Sequence, residues 1–542
     1  MKESFRQSMA WLHTWTGLLT GWVLFFVFVT GTATYYDNEI TRWMQPELPL
    51  RQTVEHPPQA EMLEKALDFL ARQPDAADTW SILLPRDGTR MGCGLLCRND
   101  DPMRGYHADL RVDWGTGPLG GTHTTRLDNN SGAELAPLPA LRATEGGVLF
   151  YEMHHALHYI DDGIGRRIVA IFTMLGLLAV VTGVIVHKKI FKDFFTFRPG
   201  KGQRSWLDAH NVIGVVTLPF AVMILYSGLA VQGWMPKAPL AVPKPPKPVA
   251  QAVAAVPQAR YQVTRPLAPM AHIVAQADAV FGAGELRTVL VVRHPDGERT
   301  ILKLSRPWGA ELPLQTAESV LSFDADTGER LDIPVTFGQK PAHQALWWLM
   351  GPHNAWFVGT AQRGLFFICG LLSCVVIATG MVLWTVKRRE KQLKSGAASF
   401  GLRLVERLNI GVLVGLPVGV AAYFWANRLL PVTLFERAEW EVHAMFLTWA
   451  WVLLYAVLRP PRKAWLETLW LATAAFALLP ALNGLMTDKH LGVTLPHGDW
   501  VLAGIDLTML GLAAVFGLTA WKLQRKWGEP SSRPLTMQGV MA

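Results

Sequence analysis

Long apolar runs separated by polar loops recur along the chain, and they predict an α-helical integral membrane protein. Each run is close to the roughly 20 residues that a helix needs to cross the hydrocarbon core of a bilayer. Eight such runs can be drawn, at about 9–35, 164–186, 206–231, 364–386, 404–426, 442–458, 464–482 and 500–521. The chain is therefore expected to cross the membrane about eight times.

The two long polar segments between these runs predict small α+β domains outside the bilayer. Residues 61–72 and 268–281 have a helical pattern, and a predicted strand pair, Thr288–Arg293 with Arg299–Leu304, flanks a Pro-Asp-Gly turn. The stretch 235–257 is rich in Pro, Ala and Lys, which is typical of a semi-rigid linker. The predicted organisation is a first transmembrane helix (1–36), a first outer domain (37–160), transmembrane helices 2 and 3 (161–232), a second outer domain (233–350), transmembrane helix 4 (351–390) and transmembrane helices 5–8 (400–525).

The first part of the chain, up to about residue 390, is an internal repeat that consists of two copies of one unit. His13 recurs as His210 and Gly31 recurs as Gly228, and both intervals are 197 residues. Both copies begin on the same side of the membrane, which predicts a pseudo-two-fold axis along the membrane normal. The same interval relates Thr182-Gly183 to Thr379-Gly380, and an interval of 196 relates the turn Leu127–Gly132 to Phe323–Gly328.

Composition and charge agree with a membrane protein and predict its orientation. Hydrophobic residues make up 50% of the 542 positions and charged residues only 17%, a balance unlike that of a soluble enzyme. Lys and Arg collect after the second, fourth, sixth and eighth apolar runs, which predicts cytoplasmic termini and periplasmic outer domains in a bacterial inner membrane. The net charge of +8 is mostly this topology signal, so no nucleic-acid partner is expected.

The duplicated histidines His13 and His210 are the strongest candidate site. Residues related by the repeat lie at equal depth and can face each other across the axis, and two imidazoles that approach one iron from opposite sides form an axial haem ligand pair. Because an intramembrane histidine without a partner is costly, cofactor ligation is favoured over a structural histidine or a proton relay. Glycines on both helices remove side-chain bulk, so that a flat macrocycle or a neighbouring helix could approach closely: Gly17, Gly21 and Gly31 on one, and Gly214 and Gly228 on the other.

A second set of histidines precedes the second and fourth apolar runs. His154 and His353 share a His-x-Ala pattern at an interval of 199 residues. His158 lies four residues after His154 and would share its face on a helix, so the choice between the two stays open. His187 ends the second run beside two lysines and is either an interfacial residue or a rival inner ligand. The sequence thus predicts two haems near opposite membrane faces, which would form a path for electron transfer across the membrane.

Other motifs carry less information. Cys93-Gly-Leu-Leu-Cys97 suits a disulfide in an oxidising compartment better than a metal site. Gly115–Gly120 matches a dinucleotide-binding pattern literally but lacks its strand–helix context. In the last four runs, which do not follow the repeat, the intramembrane residues Asn409, Asn483 and Asp506 indicate either structural hydrogen bonds or a proton path.

These residues resemble the PepSY-associated transmembrane family, and more narrowly its inner-membrane ferric-siderophore reductases of the FoxB type. The resemblance covers the first part of the chain, up to about residue 390, well and the remainder loosely. It implies PepSY-like outer domains, two b-type haems and reduction of Fe(III) chelates in the periplasm, with His13, His154, His210 and His353 as haem-iron ligands. The resemblance rests on Trp11-Leu12-His13, His154, Gly165-Arg166, the run His187–Gly200, Trp206–Asn211 and His353 followed by Arg363.

The protein is expected to be an oxidoreductase that reduces Fe(III)-siderophore and releases Fe(II). Siderophores hold Fe(III) through hard oxygen donors, and Fe(II) binds such donors less tightly, so one electron releases the metal. The sequence does not identify the electron donor or the siderophore. A PepSY sensor or peptidase-regulating binding protein is one alternative, but it leaves the matched histidines unexplained. A siderophore or iron permease is another, and it would need broken helices with polar residues near the midplane.

Overall fold

The computed structural model describes residues 3–50, 56–73, 77–85, 108–115, 123–187, 198, 203–232, 262–293, 299–307, 319–333, 341–355, 360–393 and 399–528. The chain divides into two compact units, residues 1–380 and 381–542. The Cys93–Cys97 pair, the Pro-Asp-Gly turn, the predicted linker and all of the Gly115–Gly120 motif except Gly115 lie outside the described residues.

The described residues up to Leu393 form nine helices and seven strands. In chain order they are α1 (Glu3–Thr34), α2 (Asp37–Met44), α3 (Gln59–Leu70), β1 (Thr79–Leu83), β2 (Leu110–Gly115), β3 (His123–Leu127), α4 (Val148–His155), α5 (Asp162–Val186), α6 (Gln203–Val231), α7 (Met270–Phe281), β4 (Thr288–Arg293), β5 (Thr300–Ser305), β6 (Val320–Asp324), β7 (Arg330–Leu331), α8 (Pro341–Asn354) and α9 (Thr360–Leu393). Helices α1, α5, α6 and α9 are long and apolar enough to cross a membrane.

The second unit contains the other four apolar spans. Its helices are α10 (Phe400–Leu413), α11 (Gly415–Leu429), α12 (Arg437–Leu458), α13 (Pro461–Ala477), α14 (Leu479–Met486), α15 (Leu491–Thr494) and α16 (Trp500–Gly528). Breaks at Val414 and Leu478 divide two of the spans, shortly before Pro417 and Pro480, because proline cannot donate the helical hydrogen bond. The eight spans and the small antiparallel sheet confirm the predicted fold class.

The outer segments of the two repeats fold into one antiparallel sheet. Its strand order is β3-β2-β1-β4-β5-β6-β7, and the two halves join where β1 pairs with β4, with Ser81 opposite Leu290. One core contains side chains from both segments, including Leu67, Ile82 and Val289. The sequence predicts two small domains here, whereas the folded segments share one sheet and one hydrophobic core.

The duplicated turn has the same geometry in both outer segments. The Asp128 carboxylate accepts a hydrogen bond from the Ser131 backbone N–H at 2.7 Å, and Asp324 accepts one from that of Thr327 at 2.9 Å. These bonds to the charged form lower the pKa of both carboxyls. A glycine with φ of 69° or 73° completes each turn. The structure therefore reproduces the repeat at this turn.

The predicted helices and strand pair of the outer segments are present as α3, α7, β4 and β5. The apolar pattern of the sequence does not predict the strands β1–β3 or the short helices α2, α4 and α8. In the second unit, the polar residues Asn409, Asn483 and Asp506 all have hydrogen-bond partners, as a structural role requires. Asn409 donates to the Met381 carbonyl at 3.3 Å, Asn483 donates to Asp506 at 3.1 Å, and Arg428 donates to Asn483 at 2.9 Å.

Candidate functional site

Helices α1 and α6 bring His13 and His210 together; these two residues are called the inner pair. Their ring centres are 6.4 Å apart, and their planes are inclined by 63°. The Nδ1 atom of His13 lies 2.8 Å from the Ala179 carbonyl oxygen of α5, and that of His210 lies 3.0 Å from the Val376 carbonyl oxygen of α9. Ala179 and Val376 are themselves 197 residues apart, so the two anchoring contacts are equivalent in the repeat.

Helices α4 and α8 bring together His154 and His353, called the outer pair. Their ring centres are 6.0 Å apart, with planes inclined by 43°. His154 Nδ1 lies 2.8 Å from the Val27 carbonyl oxygen, and His353 Nδ1 lies 2.8 Å from the Ser227 hydroxyl. That hydroxyl donates to the Met223 carbonyl at 2.6 Å, so it accepts from the imidazole.

The contacts at Nδ1 define which ring nitrogen is available for chemistry. Since a carbonyl or an already donating hydroxyl can only accept, Nδ1 of each histidine carries the proton and Nε2 carries the lone pair. In the outer pair, burial lowers the pKa of His154 to about 4 and that of His353 to about 3. Both are therefore neutral at physiological pH, which is the form that binds a metal ion.

A glycine accommodates each of the four imidazole rings. A Cβ atom placed on Gly183 would lie 3.0 Å from Cε1 of His13, and one on Gly380 would lie 3.1 Å from Cε1 of His210. At Gly31 the added atom would overlap the His154 ring, and at Gly228 it would lie 3.3 Å from Cε1 of His353. The sequence predicts a macrocycle or a helix beside Gly31 and Gly228, but the structure places histidine side chains there.

A hydroxyl residue precedes each of these glycines. The hydroxyl donates to the carbonyl four residues earlier, and in three of the four helices the carbonyl three residues earlier faces the imidazole Nδ1. The hydroxyl residues are Thr30, Thr182, Ser227 and Thr379. The resulting pattern is a carbonyl, a hydroxyl three residues later and a glycine four residues later. The repeated Thr-Gly and Ser-Gly pairs were visible in the sequence, but their role depends on a neighbouring helix.

Open space lies beside the inner pair. Gly17 and Gly214 are one helical turn from His13 and His210 and lie on the same faces of α1 and α6. A Cβ atom on either glycine would meet no heavy atom within 4 Å. The protein therefore leaves room for additional atoms directly beside these two glycines.

The distances within both pairs suit two ligands on one metal ion. With metal–imidazole bonds of about 2.0–2.1 Å and a ring centre about 1.1 Å behind the bonding nitrogen, two opposed imidazoles have centres about 6.3 Å apart. The observed 6.4 and 6.0 Å agree with this value. Together with the Nε2 lone pairs, and with the space at Gly17 and Gly214 beside the inner pair, these distances fit the haem that the sequence resemblance implies.

The two pairs lie at opposite ends of α1. His13 is part of the inner pair, and Gly31, 18 residues later, accommodates His154 of the outer pair. At 1.5 Å per helical residue this interval corresponds to about 27 Å. The sites are therefore separated by most of the thickness of a membrane.

The structure does not place His158 or His187 in either pair. Helix α4 ends at His155, and Leu157 and Tyr159 have φ values of 65° and 63°, so His158 does not share a helical face with His154. Its ring packs edge-on against Tyr159 at 4.2 Å. His187 follows the C-terminal end of α5. Within the described ranges, no cluster of three or more His, Cys, Asp or Glu side chains could hold a metal ion.

Comparisons with known proteins agree with this architecture. A family profile described as the PepSY-associated TM region matches residues 10–387. A protein of Pseudomonas aeruginosa described only as uncharacterized is 28% identical over 386 residues, which cover 68% of this chain and 93% of that protein. The matched range of this chain includes all four paired histidines.

Proposed function

Because the chain belongs to the PepSY-associated transmembrane family, we propose that it is a haem-containing oxidoreductase of the bacterial inner membrane. In this proposal it passes electrons across the bilayer to Fe(III)-siderophore in the periplasm and releases Fe(II). The observation that carries the proposal is the presence of two facing imidazole pairs at opposite ends of α1. The electron donor is left open.

The residues of each pair would hold one b-type haem through Nε2. Bound haem supplies reversible one-electron chemistry at its iron. The carbonyls of Val27, Ala179 and Val376 and the Ser227 hydroxyl orient the four imidazoles and increase their basicity, as second-shell acceptors of metal-bound histidines do. Two histidines per iron leave no position for a small ligand, so the arrangement favours electron transfer over ligand activation.

The chemistry of the substrate supports reduction as the release step. One electron converts chelated Fe(III) to Fe(II), and no bond within the organic ligand needs to break. Because Fe(II) is a softer ion that hard oxygen donors hold less tightly, the metal then dissociates. An outer pair near the predicted periplasmic face would bring the electron to a chelate that does not enter the bilayer.

The first test is the haem content of the purified full chain, expressed with ample haem supply. We expect a b-type absorption spectrum and about two haems per chain by pyridine haemochrome assay. His13→Ala and His210→Ala should each leave about one haem, while His158→Ala and His187→Ala serve as matched controls and should leave both. If both inner-pair variants keep the full haem content, the proposed pairing is wrong, and a colourless wild type would favour an anchored binding protein or a permease.

The second test addresses the acceptor. The haem-loaded protein is reduced chemically, freed of excess reductant and mixed with a ferric hydroxamate siderophore in the presence of an Fe(II)-specific chelator. We expect the haem to be reoxidised and Fe(II) to be captured in equal amounts. A coloured protein that stays reduced in the presence of ferric chelates would rule out this substrate class.

A further inference from the structure

Arg363, at the outer end of α9, is a buried arginine with unused hydrogen-bonding capacity. Its side chain is only 8% exposed, and its Nη2 atom pairs with the carboxylate of Glu39, which is 5% exposed. The Tyr36 ring covers the guanidinium group at 4.4 Å. The Nε and Nη1 atoms are buried and have no hydrogen-bond partner in the described part of the chain.

Two unpaired donors on one buried cation are unusual. Buried polar groups are nearly always hydrogen-bonded, and a donor left without an acceptor costs roughly 1–3 kcal/mol. Glu39 uses only one of the guanidinium nitrogens. The remaining donors therefore indicate an acceptor outside the described part of the chain, and an anion is the partner that a guanidinium group binds best.

The position of Arg363 relates it to the outer pair. On α9, a Cβ atom at Gly370 would meet the Thr32 side chain of α1, and Thr32 adjoins Gly31, which accommodates the His154 ring. Arg363 precedes Gly370 by seven residues, so it lies about 10.5 Å farther along α9 toward its outer end. The backbone of Arg363 thus lies about two helical turns beyond the level of Gly370 on α9.

We propose that Arg363 binds a propionate carboxylate of the haem held by His154 and His353; this inference rests on the proposed function. The carboxylates of a b-type haem project from one edge of the porphyrin, away from the iron, and a guanidinium group matches a carboxylate in both charge and geometry. The fixed positive charge would also stabilise the reduced iron and raise the reduction potential of the outer haem.

The repeat supplies a matched control. Arg166 is the counterpart of Arg363 at an interval of 197 residues, but its side chain is 46% exposed. Its Nε donates to Asp162 at 2.7 Å, and its Nη2 donates to His155 at 3.0 Å. The anchoring role is thus assigned to one copy only, and Arg166→Gln should leave both haems unchanged.

The experiment compares haem retention and reduction potential in the full-length, haem-loaded protein. For Arg363→Gln we expect transfer of one haem to apomyoglobin to accelerate roughly tenfold or more. The potential of the outer haem should fall while that of the inner haem is unchanged, and Arg363→Lys should restore the potential in part. The outer haem is identified as the one that His353→Ala removes.

Since Arg363→Gln removes the cationic partner of the buried Glu39 carboxylate, the double variant Arg363→Gln with Glu39→Gln separates folding from haem binding. It should fold and still show the fast haem loss, while its outer potential should fall less than in Arg363→Gln, because a negative charge is removed together with the positive one. If either variant matches Arg166→Gln in both measurements, or if both haems are lost together at wild-type thermal stability, the anchoring role is wrong. A wild type that binds no haem would instead refute the proposed function.

Discussion

At the scale of single residues, each candidate ligand depends on a small side chain on the neighbouring helix. Gly31 and Gly183 lie where any larger residue would contact the imidazole of His154 or His13. The hydroxyl residues Thr30 and Thr182 are buried, but they bond within their own helices, so they fill space without requiring a partner. The histidines are therefore positioned by backbone carbonyls, by the Ser227 hydroxyl and by the space at the glycines rather than by charged neighbours.

This arrangement predicts a graded effect of adding one methyl group. Gly31→Ala should displace His154 and deplete the outer haem, because the added Cβ atom would overlap the ring. Gly183→Ala should have a weaker effect on the inner haem, since its Cβ atom lies 3.0 Å from His13. Haem stoichiometry measures both effects. Gly511→Ala is the control, because its Cβ atom meets nothing within 4 Å and alanine favours the helix by about 1 kcal/mol. Equal haem content in all three variants would contradict the glycine role.

A second prediction at this scale concerns the open face of the inner pair. Gly17→Leu and Gly214→Leu introduce bulk where the protein itself has space, as does the control Gly504→Leu. If a flat macrocycle occupies the face beside His13 and His210, the first two variants lose the inner haem and the control keeps both. Absorption spectra and haemochrome assays report the result. Retention of both haems in Gly17→Leu would place the macrocycle elsewhere.

At the scale of elements, short helices decide which histidines meet. Helix α4 ends at His155, and the positive φ of Leu157 turns the chain away, which separates His154 from His158. Helix α8 likewise carries His353 in its last turn before Ala355, whose φ is 51°. A uniform helical pattern would have left His154 and His158 on one face, whereas the end of the helix places His154, and not His158, beside His353.

The duplicated turn predicts a pH-dependent contribution to stability. The folded pKa of Asp324 lies below its ordinary value of 3.8, so its hydrogen bonds stabilise the fold above that pH and are lost as pH falls through the folded pKa. Asp324→Ala should lower the melting temperature at pH 7 and have a smaller effect at an acidic pH below the folded pKa of Asp324. Asp326→Ala is the control at the adjacent exposed carboxyl. A difference from the wild type that is the same at both pH values would contradict this account.

At the scale of the whole molecule, the two copies of the repeat contribute strands to one sheet and histidines to facing pairs. The antiparallel β1–β4 pairing lies at the centre of the seven strands, as expected for two copies related by a two-fold axis. The same relation brings His13 to His210 and the carbonyl of Ala179 to the position equivalent to that of Val376. One copy alone would supply half of each ligand pair and half of the sheet.

The shared sheet predicts a specific cross-link. With the four native cysteines replaced, Ser81→Cys with Leu290→Cys should form a disulfide, because the two residues are directly opposite in β1 and β4. A protease site placed in the 235–257 linker then gives two fragments that separate on a gel only after reduction. Ser81→Cys with Lys303→Cys is the control, since Lys303 pairs with Leu290 and not with Ser81. Cross-linking of the control pair alone would show a different strand order.

Much of this architecture is encoded in local patterns. The eight spans follow from runs of apolar residues, because only a helix of that length satisfies its backbone within a bilayer. The interval of 197 residues pairs His13 with His210, and the structure places their rings 6.4 Å apart. Both conclusions need only composition, spacing and symmetry.

Other features of the fold and of the candidate site depend on contacts between distant segments. Three contacts join parts of the chain that local patterns do not relate. They are the pairing of β1 with β4, the approach of His154 rather than His158 to His353, and the burial of Arg363 against Glu39. A Thr-Gly pair in a sequence shows only that a side chain is missing. What occupies that space, an imidazole at Gly31 and Gly183 or open space at Gly17, depends on which helix packs beside it, and only the tertiary structure provides that information.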